Sequence, residues 1–141
     1  MTVLAWLVLV ALVAIVVIVV FPEVTRVLTR FAREKRLAEE RAAMLLAELL
    51  APEDLAHLNE RGYLVVRSPK RPNRVYHVPR QQGMVSVYDG GVLTERLCVG
   101  STRKIPDGDA VLLHKLMIEG NEDEYLLLAN HFSPRPYTFP L

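Results

Sequence analysis

From Thr2 to Phe21 the chain carries no charge, no glycine and no proline, and every residue after Thr2 is apolar. At 1.5 Å per residue, about 20 helical residues cover the ~30 Å hydrocarbon core of a bilayer. The run predicts a transmembrane anchor over 1–22, with Trp6 near one end at headgroup level. A signal peptide would open on basic residues and close at a small-residue cleavage site; this run opens on none and leaves through Phe21-Pro22-Glu23. A buried helix apolar on every face would need a far larger protein around it. Ile15 to Val20 are β-branched, but in lipid the backbone has no other hydrogen-bond partner and stays helical.

Beyond Phe21 the apolar positions thin out to a 3.6-residue period. Val24, Val27, Leu28, Phe31, Ala38, Ala42, Leu45, Leu46 and Leu49 mark one side of an amphipathic stalk helix over 23–50. Its far end is read as packing on the domain that follows. A short coiled coil, giving a homodimer through the stalk, and a helix lying on anionic headgroups are the alternatives. Arg26, Arg30, Arg33, Lys35, Arg36 and Arg41 follow the span and no basic residue precedes it. By the positive-inside rule this is a single-pass protein of the cell membrane, N-terminus outside and C-terminal domain cytoplasmic.

Residues 51–132 predict a small α+β domain. Pro52-Glu53-Asp54 suits a helix first turn, and Gly62 can close that helix in a left-handed cap. The period then falls to two. Tyr63 to Arg67, Arg74 to Val78, Met84 to Asp89 and Val92 to Val99 give three or four antiparallel strands. Ser68 to Asn73 is a proline-punctuated loop, and Gly90-Gly91 supplies the positive φ angles of a two-residue hairpin. Alternation places Val85 and Val87 on one face, with Met84, Ser86 and Tyr88 on the other. A helix from Ala110 to about Glu119 stops at Gly120. Asn121 with Glu124 then caps a second helix running to about His131. Ser133 to Leu141, with three prolines, predicts an extended tail. The fold class is therefore α+β, an N-terminal transmembrane helix and stalk before a small sheet packed with C-terminal helices.

Charge adds one local feature to an otherwise balanced chain of 141 residues and net charge +1. Between Arg61 and Arg80 lie six basic residues and no acid, with Tyr63, Tyr76 and His77 interleaved. Lys70, Arg71, Arg74 and Arg80 are the candidate contacts for an anion or a partner. With a membrane close by, lipid headgroups or a protein come before nucleic acid; a solvated face balancing the acidic C-terminal half is the alternative.

Catalytic chemistry finds little to stand on. The single cysteine, Cys98, excludes an intramolecular disulfide and a multi-cysteine zinc site, and reads as a small hydrophobe within its strand. His57, His77, His114 and His131 make no metal-ligand spacing, and Asp107-x-Asp109 lacks the rest of a calcium loop. Lys115 and Glu119 form an ordinary i,i+4 pair with His114 beside it. No phosphate loop or nucleophile elbow occurs. The expectation is no catalytic, cofactor or metal site.

Several short motifs fall in one order: Leu50-Ala51-Pro52-Glu53, Gly62-Tyr63-Leu64-Val65-Val66, Arg74-Val75-Tyr76 and Arg96-Leu97-Cys98-Val99. Pro106 to Asp109 follows, then His114-Lys115-Leu116-Met117-Ile118-Glu119, and Glu122 to Tyr125 leading to Ala129-Asn130. In these residues, roughly 45 to 132, the chain resembles an uncharacterised family of small bacterial and phage proteins, here with an added N-terminal span. The resemblance implies a domain and carries no activity. Together these features lead to the expectation of a membrane-anchored accessory or adaptor protein, non-enzymatic, with a protein partner in or at the membrane.

Overall fold

A computed structural model describes residues 3–100 and 105–134, without the side chains at 3–5, 7, 8 and 16–20. Two compact units divide the chain, Met1–Ala38 and Glu39–Leu141.

Helix α1 runs Val3–Leu49 and contains Pro22. Proline has no N–H to give the preceding turn. The Thr25 hydroxyl donates to the Pro22 carbonyl at 2.9 Å. Among the described residues no helix is long and apolar enough to cross a membrane. Part of the span expected over 1–22 lies outside those residues. The side chains that are described there, Trp6, Leu9, Val10, Leu12, Val13, Ile15 and Phe21, are all exposed.

The second unit begins at Glu39, so the last turns of α1 fold with the residues that follow. Ala42, Leu46 and Leu50 are buried at four-residue intervals, the spacing that stacks side chains on one helical stripe. Leu45 and Leu49, expected on that same side, are instead exposed. The domain covers one stripe of the helix, and both leucines fall outside it. Helix α2, Pro52–Arg61, ends at Gly62, whose φ of 80° lets its N–H reach the Leu58 carbonyl.

The sheet follows as β1 (Tyr63–Arg67), β2 (Arg74–Pro79), β3 (Val85–Asp89) and β4 (Val92–Cys98). After helix α3 (Asp107–Leu128) comes β5 (Asn130–Phe132). The strands lie in the order β1-β2-β3-β4-β5, antiparallel throughout. Gly90 and Gly91, with φ of 58° and 82°, turn β3 into β4. Such angles at both central residues match the right-handed twist of the flanking strands.

Two expectations need correction. The sheet has five strands, not three or four, and the fifth comes from residues read as the end of the last helix. The helix stops at Leu128 because His131 is held between the Glu95 carboxylate and the Leu126 carbonyl, which turns the chain out to pair with β4. The two C-terminal helices expected from sequence both form within Asp107–Leu128, separated by a kink, and the first begins at Asp107 rather than Ala110. Asn121 breaks the helical path at φ −154° and ψ 80°. Its side-chain oxygen accepts the Glu124 N–H at 3.4 Å, and its amide donates to the Glu124 carboxylate at 3.0 Å. The capping pair expected from sequence forms at this kink. The tail expected at 133–141 lies outside the described residues beyond Pro134.

One face of the sheet makes the core. Leu64, Val66, Tyr76, Val78, Val85, Val87 and Leu97 are buried there against Leu58, Leu46 and Leu50 and against Val111, Ile118 and Tyr125 of α3. Each such aliphatic side chain contributes about 1.5–3 kcal/mol before entropy is counted. Gly108 admits the first turn of α3 to this packing. A Cβ there would lie 2.8 Å from the Ala42 carbonyl oxygen.

Candidate functional site

Of the four basic residues singled out from sequence, Lys70, Arg71 and Arg74 gather at the start of β2, where Arg71 is close enough to act on Asp89 and Asp123, and Arg80 lies past the strand's other end. Lys70 is bonded to Asp123 across the chain. Arg74, only 12% exposed, makes a two-pronged bond to Asp89 at 2.8 and 2.7 Å and lies 3.8 Å from Glu95. Bidentate pairing fixes a guanidinium in direction as well as charge. The Asp89 bond raises Arg74 further above its usual range, and the Arg74 bond holds Asp89 below the ordinary carboxylate range. Arg74 therefore ties β2 to β3 and β4. Arg71 is exposed in the β1–β2 loop, where its backbone N–H donates to Ser68 Oγ at 2.8 Å. Arg80 is exposed beyond the other end of β2, a strand roughly 20 Å long at ~3.3 Å per residue.

The interleaved aromatic residues separate by face. Tyr76 points into the core. On the opposite face Tyr63 stacks on His77 at 4.3 Å between centroids, and His77 meets Tyr88 at 4.4 Å. His57 closes the row edge-on to Tyr63 at 5.0 Å and donates to the Tyr63 carbonyl. His77 spends its ring on two neighbours, leaving it little free surface on which a nucleic-acid base could stack. Burial, then the charge of His57, lowers its pKa.

Two polar contacts inside the core were invisible in the sequence. Glu122 is buried, accepting the Tyr76 hydroxyl at 2.5 Å and the Ser68 hydroxyl at 2.7 Å. Burial and the Glu122 bond both raise the Tyr76 phenol well above its usual value. At the other, His114 Nδ1 lies 3.0 Å from the hydroxyl of fully buried Tyr125. Burial raises the Tyr125 phenol and lowers the His114 imidazole. The phenol can donate to Nδ1 or accept from it, and the imidazole tautomer sets which.

His114 lines a cavity of about 720 Å³ at the end of the sheet. Met84, Cys98, Val99, Ile105 and Leu113 form much of its wall. Cys98, expected to be buried mid-strand, is the last residue of β4 and half-buried. The loop from β2 to β3 is clipped to the start of α3: Gln82 donates its backbone N–H to Asp107 at 3.3 Å and its side-chain amide to the Ile105 carbonyl. Asp107 in turn donates its N–H to Glu39 at 3.0 Å. The cavity is thus walled by elements already fastened together. Neither His114 nor Cys98 counted for much alone in the sequence; a His eleven residues before a Tyr was the signal available.

No family model, curated protein or solved structure matches the chain. The site is therefore interpreted on its own geometry. Among the described residues no group of His, Cys, Asp and Glu could hold a metal ion. Lys115, the neighbour of His114, is bonded to Glu119 one turn on, the pair expected from their spacing.

Proposed function

We propose that this is a single-pass membrane protein whose cytoplasmic domain recruits or stabilises a protein partner and catalyses no reaction. The observation that carries it is the exposure of the N-terminal helix. Trp6, Leu9, Val10, Leu12, Val13 and Ile15 are each more than half exposed, and with the exposed Ala11 and Ala14 they occupy every side of the helix. A helix apolar on every side, with no protein over it, is stable only in a non-aqueous setting. The uncharged run from Thr2 to Phe21 has the length for one crossing. The basic residues after it favour a cytoplasmic C-terminal domain.

Partner binding draws on a second feature. Met44, Leu45 and Leu49 leave an exposed apolar strip on the part of α1 that belongs to the domain, and such strips favour contact with another protein or a second copy. A non-catalytic role agrees with how the ionisable groups are spent, Arg74 on Asp89, Lys70 on Asp123 and Lys115 on Glu119.

Alkaline carbonate extraction of membranes tests the anchor, and protease added outside intact cells tests its direction. The protein is expected to stay in the membrane pellet with its domain uncut. Release by carbonate would overturn the anchor, and loss of the domain to outside protease would reverse its orientation.

A further inference from the structure

We propose that the face of the sheet turned away from the core is a docking surface for an acidic amphipathic helix of a partner protein. The inference deepens the partner-recruiting reading of the domain and rests on it, but not on the membrane anchor.

An antiparallel sheet with water on one side alternates apolar residues inward with polar residues outward. This sheet departs from that rule. Tyr63 and Val65 of β1, Val75 of β2, Tyr88 of β3, Leu93 of β4 and Phe132 of β5 take outward positions, with Val75 opposite Tyr88 and Tyr88 opposite Leu93. Leu93 reaches this side because the β3–β4 register shifts between Val87 and Tyr88; unbroken alternation from buried Leu97 would turn it inward. Each of the six is partly exposed and none joins the core. The helices spend Leu58, Val111, Ile118 and Tyr125 on the other face. A sheet apolar on both faces is complete only with a second layer.

Charge and area choose the occupant. Arg67 and Arg96 also take outward positions, opposite Val75 and Phe132, and both are exposed. Among the described residues neither is in an ion pair. The acids of the strands, Asp89 and Glu95, are held by Arg74 instead. A second copy would bring the same arginines and no carboxylate, leaving guanidinium groups unpaired at the contact. Area argues the same way. From β1 to β4 is roughly 14 Å, and from Tyr63 to Arg67 roughly 13 Å. That footprint of ~200 Å² is far below the ~800 Å² per partner of a stable complex, but it suits one helix, ~10–12 Å across. The occupant is a short helix with its apolar stripe on the tyrosines and carboxylates at its flanks for Arg67 and Arg96. Tyr63 on His77 and His77 against Tyr88 fix these rings before a partner arrives, which lowers the ordering cost.

The full-length protein in phosphatidylcholine nanodiscs is titrated with a fluorescent helical peptide carrying leucine on one face and glutamate on its flanks, and with the same peptide carrying lysine there. The glutamate peptide is expected to bind about tenfold more tightly or better. A photoreactive residue in its leucine stripe is expected to cross-link to Tyr63, Tyr88 or Leu93. Reversing both charges, Arg67→Glu with Arg96→Glu, is expected to invert the preference between the peptides. Leu93→Thr is expected to weaken both roughly fivefold. Equal binding of the two peptides, or a preference unchanged by charge reversal, would overturn the proposal. Cross-links at Met44, Leu45 and Leu49 instead would keep the domain a recruiter and overturn this surface alone, whereas no binding of either peptide counts against both. Phosphatidylserine vesicles bound through the two arginines, with no peptide cross-link, would give the face to lipid and also overturn it. Should circular dichroism show the double reversal unfolded, the two peptides on the wild-type protein decide the matter.

Discussion

Tyr76 and Tyr125 meet edge to face in one core, ring centroids 6.2 Å apart, yet their hydroxyls lead to different places. Tyr76 ends in Glu122, which also accepts Ser68, and Ser68 in turn holds the β1–β2 loop through the Lys70 and Arg71 N–H groups. Tyr125 ends in His114, whose second nitrogen belongs to a ring that lines a cavity. Both contacts satisfy a buried tyrosine, as the interior requires. Only the second leaves hydrogen-bonding capacity over. The difference separates polarity spent on the fold from polarity with a nitrogen to spare.

The contrast breaks most visibly at Glu122. Glu122→Ala orphans the buried Tyr76 hydroxyl and removes the acceptor of the half-buried Ser68 hydroxyl, and each lost partner costs about 1–3 kcal/mol. A loss of roughly 3 kcal/mol is expected in urea unfolding of the intact chain. A loss below about 1 kcal/mol would place the two tyrosine contacts on the same footing. Tyr125→Phe is expected to cost less, about 1 kcal/mol, because the freed Nδ1 belongs to a half-buried ring beside an open cavity that water can enter. If it destabilises as much as Glu122→Ala, the His114 end is structural too.

The smallest effect is in pH. His131 places Nδ1 against Glu95 at 2.7 Å and Nε2 against the Leu126 carbonyl at 2.8 Å. Both partners are acceptors, so both nitrogens must donate and the ring is an imidazolium. The Glu95 bond first, then the Leu126 bond, raise its pKa above the usual 6.5, whereas burial lowers that of His114. The signs oppose. The His131 contribution to stability is full below 6.5 and is lost as pH rises through its raised value. For His114 the folded state is favoured above 6.5 and loses ground as pH falls toward the lowered value. Ring NMR titration should give His131 the higher midpoint; coincident midpoints would erase the distinction.

Much of the domain could be read from residue order. Alternation located four strands because Val85, Val87, Leu64 and Val66 each face the core with a polar or half-exposed neighbour between. Gly90-Gly91 and Asn121 with Glu124 declared a turn and a cap through local chemistry alone. What escaped notice depended on distance along the chain. Lys70 and Asp123 are 53 positions apart, and Ser68 and Glu122 are 54; no local pattern pairs them. The basic stretch looked free for the same reason. Strand β5 was missed because three residues are too few for alternation to show, and its pairing depends on His131 reaching Glu95. The cavity needed the ends of β2, β4 and α3 brought together, which no spacing announces.

The order of the strands in the sheet is their order in the chain. Each of the first four can pair with its predecessor as soon as it emerges, so no strand waits with an unpaired edge for a distant partner. Local pairing of this kind closes small loops first and favours rapid assembly. The β1–β4 meander would therefore form early, and the Ser68–Glu122 bond would clasp α3 over it as one of the last events of folding.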